Sequence, residues 1–148
     1  MMKPLFLLFL TILITAPSSV IAGVYADTMG KCLVSATSQK DKTDLVRWMF
    51  ANAALHPDVS NISSVSTEQR DDIDRTAAAL MDRLLTVACR KETSEALKYE
   101  GAIAMQLSFQ ILGQVASASL MTHPNVGQGF GRIGQFLDQK KIEALVKE

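Results

Sequence analysis

Only two histidines, two cysteines and one tryptophan occur among the 148 residues. A structural or catalytic zinc site gathers three or four His, Cys or carboxylate ligands. His56 and His123 are the whole histidine supply, and Asp58 is the only acid beside either. They are the only candidate metal ligands, and neither a metal nor any other cofactor is expected. No GxSxG, HExxH or CxxC appears and no cysteine adjoins a histidine, so several signatures of nucleophilic and metal-assisted catalysis are missing together. The chain reads as not an enzyme. Basic and acidic residues balance at 15 each, which leaves no concentrated positive surface for a phosphate backbone and excludes nucleic acid as a partner. Strand signals are lacking too, because no segment alternates apolar and polar residues between turn residues.

What is present begins with a targeting segment. "MMK" is a short positive n-region, "PLFLLFLTILIT" an apolar h-region, and "VIA" ends at Ala22 with small residues where signal peptidase wants them. Cleavage is expected after Ala22, with Ala26, at the end of "VYA", as the second choice. The apolar run falls short of the ~20 residues that a spanning helix needs. Residues 1–22 are therefore assigned as a signal peptide and 23–148 as a single helical domain, periplasmic or secreted. Lys3 is the only charge in the leader, so its removal leaves the mature chain about neutral. In an oxidising compartment the pair Cys32 and Cys89 reads as a disulfide. Closing so long a loop is worth ~4 kcal/mol in the chain-entropy model.

Helical periodicity accounts for most of the rest. After an N-terminal segment holding Cys32, the capping box "SQKD" opens a first helix at Ser38. Leu45, Trp48, Met49, Asn52, Ala53 and His56 follow at helical spacing, with Phe50 beside them, until Pro57. A second box, "STEQ" at Ser66, opens a helix whose face carries Ile73, Ala77, Leu80, Met81, Leu84 and Val87, up to Cys89. The third predicted helix is long, from Thr93 to Thr122, with Gly101 and Gly113 inside it. No charged residue lies between Glu100 and Arg132. The stripe Gln106, Gln110 and Gln114 nevertheless marks this helix as the centre of a bundle and not a membrane span. A glycine-rich amphipathic element with Val126, Phe130, Ile133 and Leu137 ends the chain. The fold class is all-α, a compact bundle of four main helices with an N-terminal segment tied by a disulfide.

"ALHPDV" and "MTHPNV" repeat a His-Pro-Asx-Val pattern that contains both histidines. The spacing places each histidine in the last turn of a helix, where its cation would meet the negative dipole end before proline stops the helix. "GQGFGRIG" lacks the preceding strand that a phosphate loop requires. "VRWMF" holds more large apolar side chains than one helical face can bury, so Trp48 and Phe50, together with Phe130 of the glycine-rich element, form the possible contact surface.

"KCLVSATSQKDKTDLVRWMF", with "ALHPDV", "LLTVACRKETSEALKYEG" and "LGQVASASLM", resembles a family of small uncharacterised secreted proteins of proteobacteria, across nearly all of the mature chain. The resemblance implies export and a bacterial source, and it carries no activity. In outline, a leader followed by a disulfide-stapled helical domain is also similar to periplasmic immunity proteins of contact-dependent toxin systems. The expected function is a non-enzymatic exported helical module that binds another protein. The alternatives are a carrier of a small apolar ligand, with glutamines lining an apolar pocket between the first and third helices, or an immunity or inhibitor protein against a toxin.

Overall fold

The computed structural model describes residues 23–146, and every regular element among them is a helix. The expected signal segment, residues 1–22, lies outside the described residues. In chain order the helices are α1 (Val24–Ser35), α2 (Gln39–Ala53), the single turn α3 (Pro57–Ser60), α4 (Thr67–Arg83), α5 (Arg90–Tyr99), α6 (Ala102–Met121), α7 (Pro124–Gly131) and α8 (Gln139–Leu145). A π-helical turn, Leu84–Ala88, joins α4 to α5, and a 3₁₀ turn, Arg132–Phe136, follows α7.

Helix α6 is the hub. Its buried residues Ala104, Ser108, Leu112 and Ala116 stand four apart and make one continuous ridge. Helix α1 lies along it, burying Ala26, Met29, Gly30 and Leu33. The two helices come close because both interfaces use small residues. A Cβ on Gly30 would sit 2.6 Å from Ile111 Cδ1. The Ser108 hydroxyl lies 2.8 Å from the Ala26 carbonyl and 2.7 Å from that of Ala104, sharing one proton between them. Helix α2 packs on α6 and α4, running antiparallel to α6: Gln39 at its start donates to Ser119 near the end of α6 at 2.9 Å.

Both expected capping boxes are formed. Ser38 Oγ accepts from Asp41 N–H at 3.2 Å while the Asp41 carboxylate accepts from Ser38 N–H at 2.8 Å. Ser66 and Gln69 exchange the same pair of bonds at 3.2 and 2.9 Å. Arg83 reaches from α4 to the Asp41 carboxylate at 2.9 Å, fastening α4 to the start of α2. Partial burial pushes the Asp41 carboxyl up, but the Ser38 hydroxyl and N–H and the Arg83 guanidinium outweigh it and hold the group below its ordinary value. Cys32 on α1 and Cys89 at the head of α5 are joined as a disulfide, with Cα atoms 5.9 Å apart.

The structure redraws three expectations. The N-terminal segment holding Cys32 is itself a helix, because Ala26, Met29, Gly30 and Leu33 recur at i, i+3, i+4 and i+7. The third predicted helix, Thr93–Thr122, is two helices: α5 stops at Tyr99, and Gly101 adopts φ +69° and ψ −152°, a conformation essentially confined to glycine. The helix expected to end at Cys89 instead passes through the π turn and resumes one residue later, which swings Cys89 inward to full burial.

Candidate functional site

Among the described residues two apolar surfaces stand out as uncovered, and Trp48 lies on one and Phe130 on the other. The first is a groove of about 280 Å³ lined by Leu45, Trp48 and Met49 of α2, Met81 of α4, and Phe109, Leu112 and Gly113 of α6. Trp48 is half-buried in its wall. Gly113 lies mid-helix with no atom within 4 Å of where its Cβ would be. A glycine there costs ~1 kcal/mol relative to alanine, and no packing constraint within the bundle calls for it. The groove therefore owes its depth to the missing side chain. Gln106, Gln110 and Gln114 are all exposed and none lines it, so the expected polar lining of a ligand pocket is not there. Periodicity explains why: the glutamines occupy the α6 face turned away from the buried ridge.

The second surface is the C-terminal arm, residues 124–146. Beyond Ala116 no described residue is buried. Among the described residues helix α7 packs substantially only on α6 and the 3₁₀ turn, and α8 has no substantial packing partner. Yet the arm carries large apolar side chains, with Phe130 63%, Ile133 67%, Phe136 80% and Leu145 74% exposed. Helix formation survives Gly127 and Gly129, and the α-helix gives way to the 3₁₀ turn after Gly131. Isolated apolar residues on a surface are ordinary, but a run of them on one unpacked segment is the usual mark of a contact site.

Phe50, 58% exposed, lies on α2 but does not line the Trp48 groove. Two residues apart on a helix means opposite faces, so the three expected contact residues form three separate patches.

The histidines differ from expectation in the helix that each serves. Neither closes a helix. Each is the N-cap of the short helix that follows, with proline at the first helical position. His56 Nδ1 accepts from Asp58 N–H at 3.2 Å, and His123 Nδ1 accepts from Asn125 N–H at 3.3 Å. Proline forces the preceding residue into extended backbone, so histidine sits just outside the helix, where its ring nitrogen can accept from the second helical N–H. His123 shares a small cleft with Gln39 and Lys42 at the start of α2, whereas His56 follows its end. The length of α2, ~20 Å at 1.5 Å per residue, therefore separates the two imidazoles. Among the described residues no three His, Cys, Asp or Glu side chains gather as metal ligands would.

A polar cleft of about 470 Å³ between α2 and α4, not anticipated from the sequence, is lined by Asp44, Arg47, Asp72, Ile73, Arg75 and Thr76. Asp72 pairs with Arg75 at 2.8 Å, raising the guanidinium further above its usual range, and Asp44 pairs with Lys40 at 2.5 Å. Charges committed to local i, i+3 and i, i+4 pairs are a common solvated helix surface, and no carboxylate in the cleft is set apart for acid–base work. No protein-family model, no curated protein and no solved structure matches this chain.

Proposed function

We propose that the protein is an exported, non-catalytic helical module that acts by binding another protein through its C-terminal arm. The carrying observation is the arm itself: Phe130, Ile133 and Phe136 are each at least 63% exposed on a segment that packs on almost nothing. Such side chains lose free energy by remaining in water, at ~25 cal/mol per Å² of apolar area, and a partner would recover it. Export is supported by the leader-like N-terminus, by the Cys32–Cys89 disulfide, and by the absence among the described residues of any helix long and apolar enough to cross a membrane. An immunity protein held against a toxin is one form of this reading. The test is a crosslinking pull-down from extract of the native host, comparing the intact chain with a Phe130→Ser/Phe136→Ser variant. One stoichiometric partner captured by the first and not the second is expected; equal capture by both contradicts the proposal.

A second reading rests on the groove. Its wholly apolar lining and the bare backbone at Gly113 suit a small apolar ligand, although its volume lies just under the ~300–1,000 Å³ typical of ligand pockets. A carrier would co-purify with a small molecule seen by native mass spectrometry, and Gly113→Leu, which fills the groove, would abolish it.

A further inference from the structure

The start of α1 is built around a carboxylate from far along the chain. Glu100 Oε1 accepts from Tyr25 N–H and its Oε2 accepts from Ala26 N–H, both at 2.9 Å. These are orphan donors of the first helical turn, where a negative charge also meets the positive end of the helix dipole. Three features hold Glu100 in place. It caps α5, the Gly101 turn follows it, and the preceding Tyr99 ring stacks on Tyr25 with centroids 4.7 Å apart. The same carboxylate closes over residue 23. A Cβ built on Gly23 would lie 2.0 Å from both Cδ and Oε1 of Glu100. The α-nitrogen and an ideal Cβ hang on one Cα about 2.5 Å apart, so the Gly23 nitrogen stands within ~4.5 Å of that carboxylate.

We infer that the chain is processed between Ala22 and Gly23, and that Glu100 receives the new α-ammonium of Gly23 as well as the first N–H groups of α1. The inference rests on the export reading above. Hydrolysis of the Ala22–Gly23 peptide bond consumes one water, leaving a carboxylate on Ala22 and an ammonium on Gly23. An ammonium beside a helix N-terminus is opposed by the dipole, and Glu100 lies between the two as shared counter-charge. The geometry also discriminates between the two small-residue cleavage sites. Cutting after Ala26 would remove both donors to Glu100, the Tyr25–Tyr99 stack, and the buried Ala26 whose carbonyl accepts from Ser108.

N-terminal sequencing of the processed chain from the native host tests the assignment. A start at Gly23 is expected, and a start at Asp27 or elsewhere overturns it while leaving export intact. Finding only the unprocessed chain overturns both. The pairing is tested separately on a purified chain beginning at Gly23 and on the same chain lengthened by one N-terminal serine, each with Glu100 and with Glu100→Gln. Lengthening should lower the melting temperature by ~3 °C where Glu100 is present and change little in the Glu100→Gln background. Equal shifts in the two backgrounds would show that the ammonium and the carboxylate do not interact.

Discussion

The bundle and the arm use the same kinds of residue to opposite ends. Between Gly23 and Met121 a core forms although some apolar side chains stay exposed: Met29, Leu33, Leu84 and Leu112 are almost wholly buried, and a disulfide ties α1 to the head of α5. From Pro124 to Val146, phenylalanines, isoleucines and leucines recur at a higher density and yet none is buried. Composition therefore does not decide burial here; contact geometry does. The bundle has small residues where helices must approach, Gly30 against Ile111 and Ser108 against Ala26. Three of the arm's four glycines face nothing: Gly129, Gly131 and Gly134 have no neighbouring atom within 4 Å of an added Cβ. At Gly30 the missing side chain lets helices meet, whereas at these arm positions, as at Gly113 in the bundle, it leaves a surface open.

The contrast can be broken most sharply at the disulfide. Replacing Cys32 and Cys89 together by serine should cost ~4 kcal/mol of unfolding free energy in denaturant titrations, the loop-entropy value for a closure of this length. A core truncation comes next. Leu112→Ala should cost ~2–5 kcal/mol, whereas Phe136→Ala should change stability by less than ~0.5 kcal/mol, both read from the same chemical melts. A large loss at Phe136 would mean that the arm belongs to the core. Gly113→Ala should raise stability by ~1 kcal/mol, since it removes helical glycine without a clash.

The smallest effect is that of Asp41. Its folded value is depressed, so the stability it contributes is present above the unfolded carboxylate range and disappears as pH falls through the folded value. The side chains of Asp41 and Arg83 are 20% and 44% exposed. Screening by water at that exposure holds the pair to ~0.5 kcal/mol. Arg83→Met should therefore lower stability by up to ~0.5 kcal/mol at neutral pH, change it little at pH values below the folded Asp41 value, and so flatten the acid limb of a stability-against-pH curve slightly.

How much of this was legible in the sequence depended on how local the cause was. Capping boxes at Ser38 and Ser66 are written within four residues, and both formed. The Cys32–Cys89 pair followed from there being two cysteines and from the expectation of export that the leader-like N-terminus raises. Helix α1 had a readable pattern in Ala26, Met29, Gly30 and Leu33, but it follows directly on the expected leader and opens with no capping box of the kind that marks Ser38 and Ser66. Gly101 looked like an interior helical glycine because nothing local announces a positive φ. The partner that holds the turn, Glu100 bonded across to Tyr25 and Ala26, is some 75 residues away from them in sequence. The histidines show a finer limit. His-Pro correctly marked a boundary between helices, yet whether the imidazole closed one helix or opened the next turned on the conformation that proline imposes on the residue before it. Which of the expected contact residues share a face was not legible: Trp48 lines the groove, Phe50 does not, and Phe130 lies on the arm. The groove at Gly113 comes from three helices that only the fold brings together.

The central claim is that the arm is a surface for another protein while the bundle is complete without it. A photo-crosslinking phenylalanine analogue placed at position 136 in the native host tests this directly, with the same analogue at the exposed bundle position Thr76 as control. One discrete adduct with a different protein, seen from position 136 and absent from position 76, is the expected result. Only background at both positions, or an adduct solely with a second copy of the chain, would contradict it.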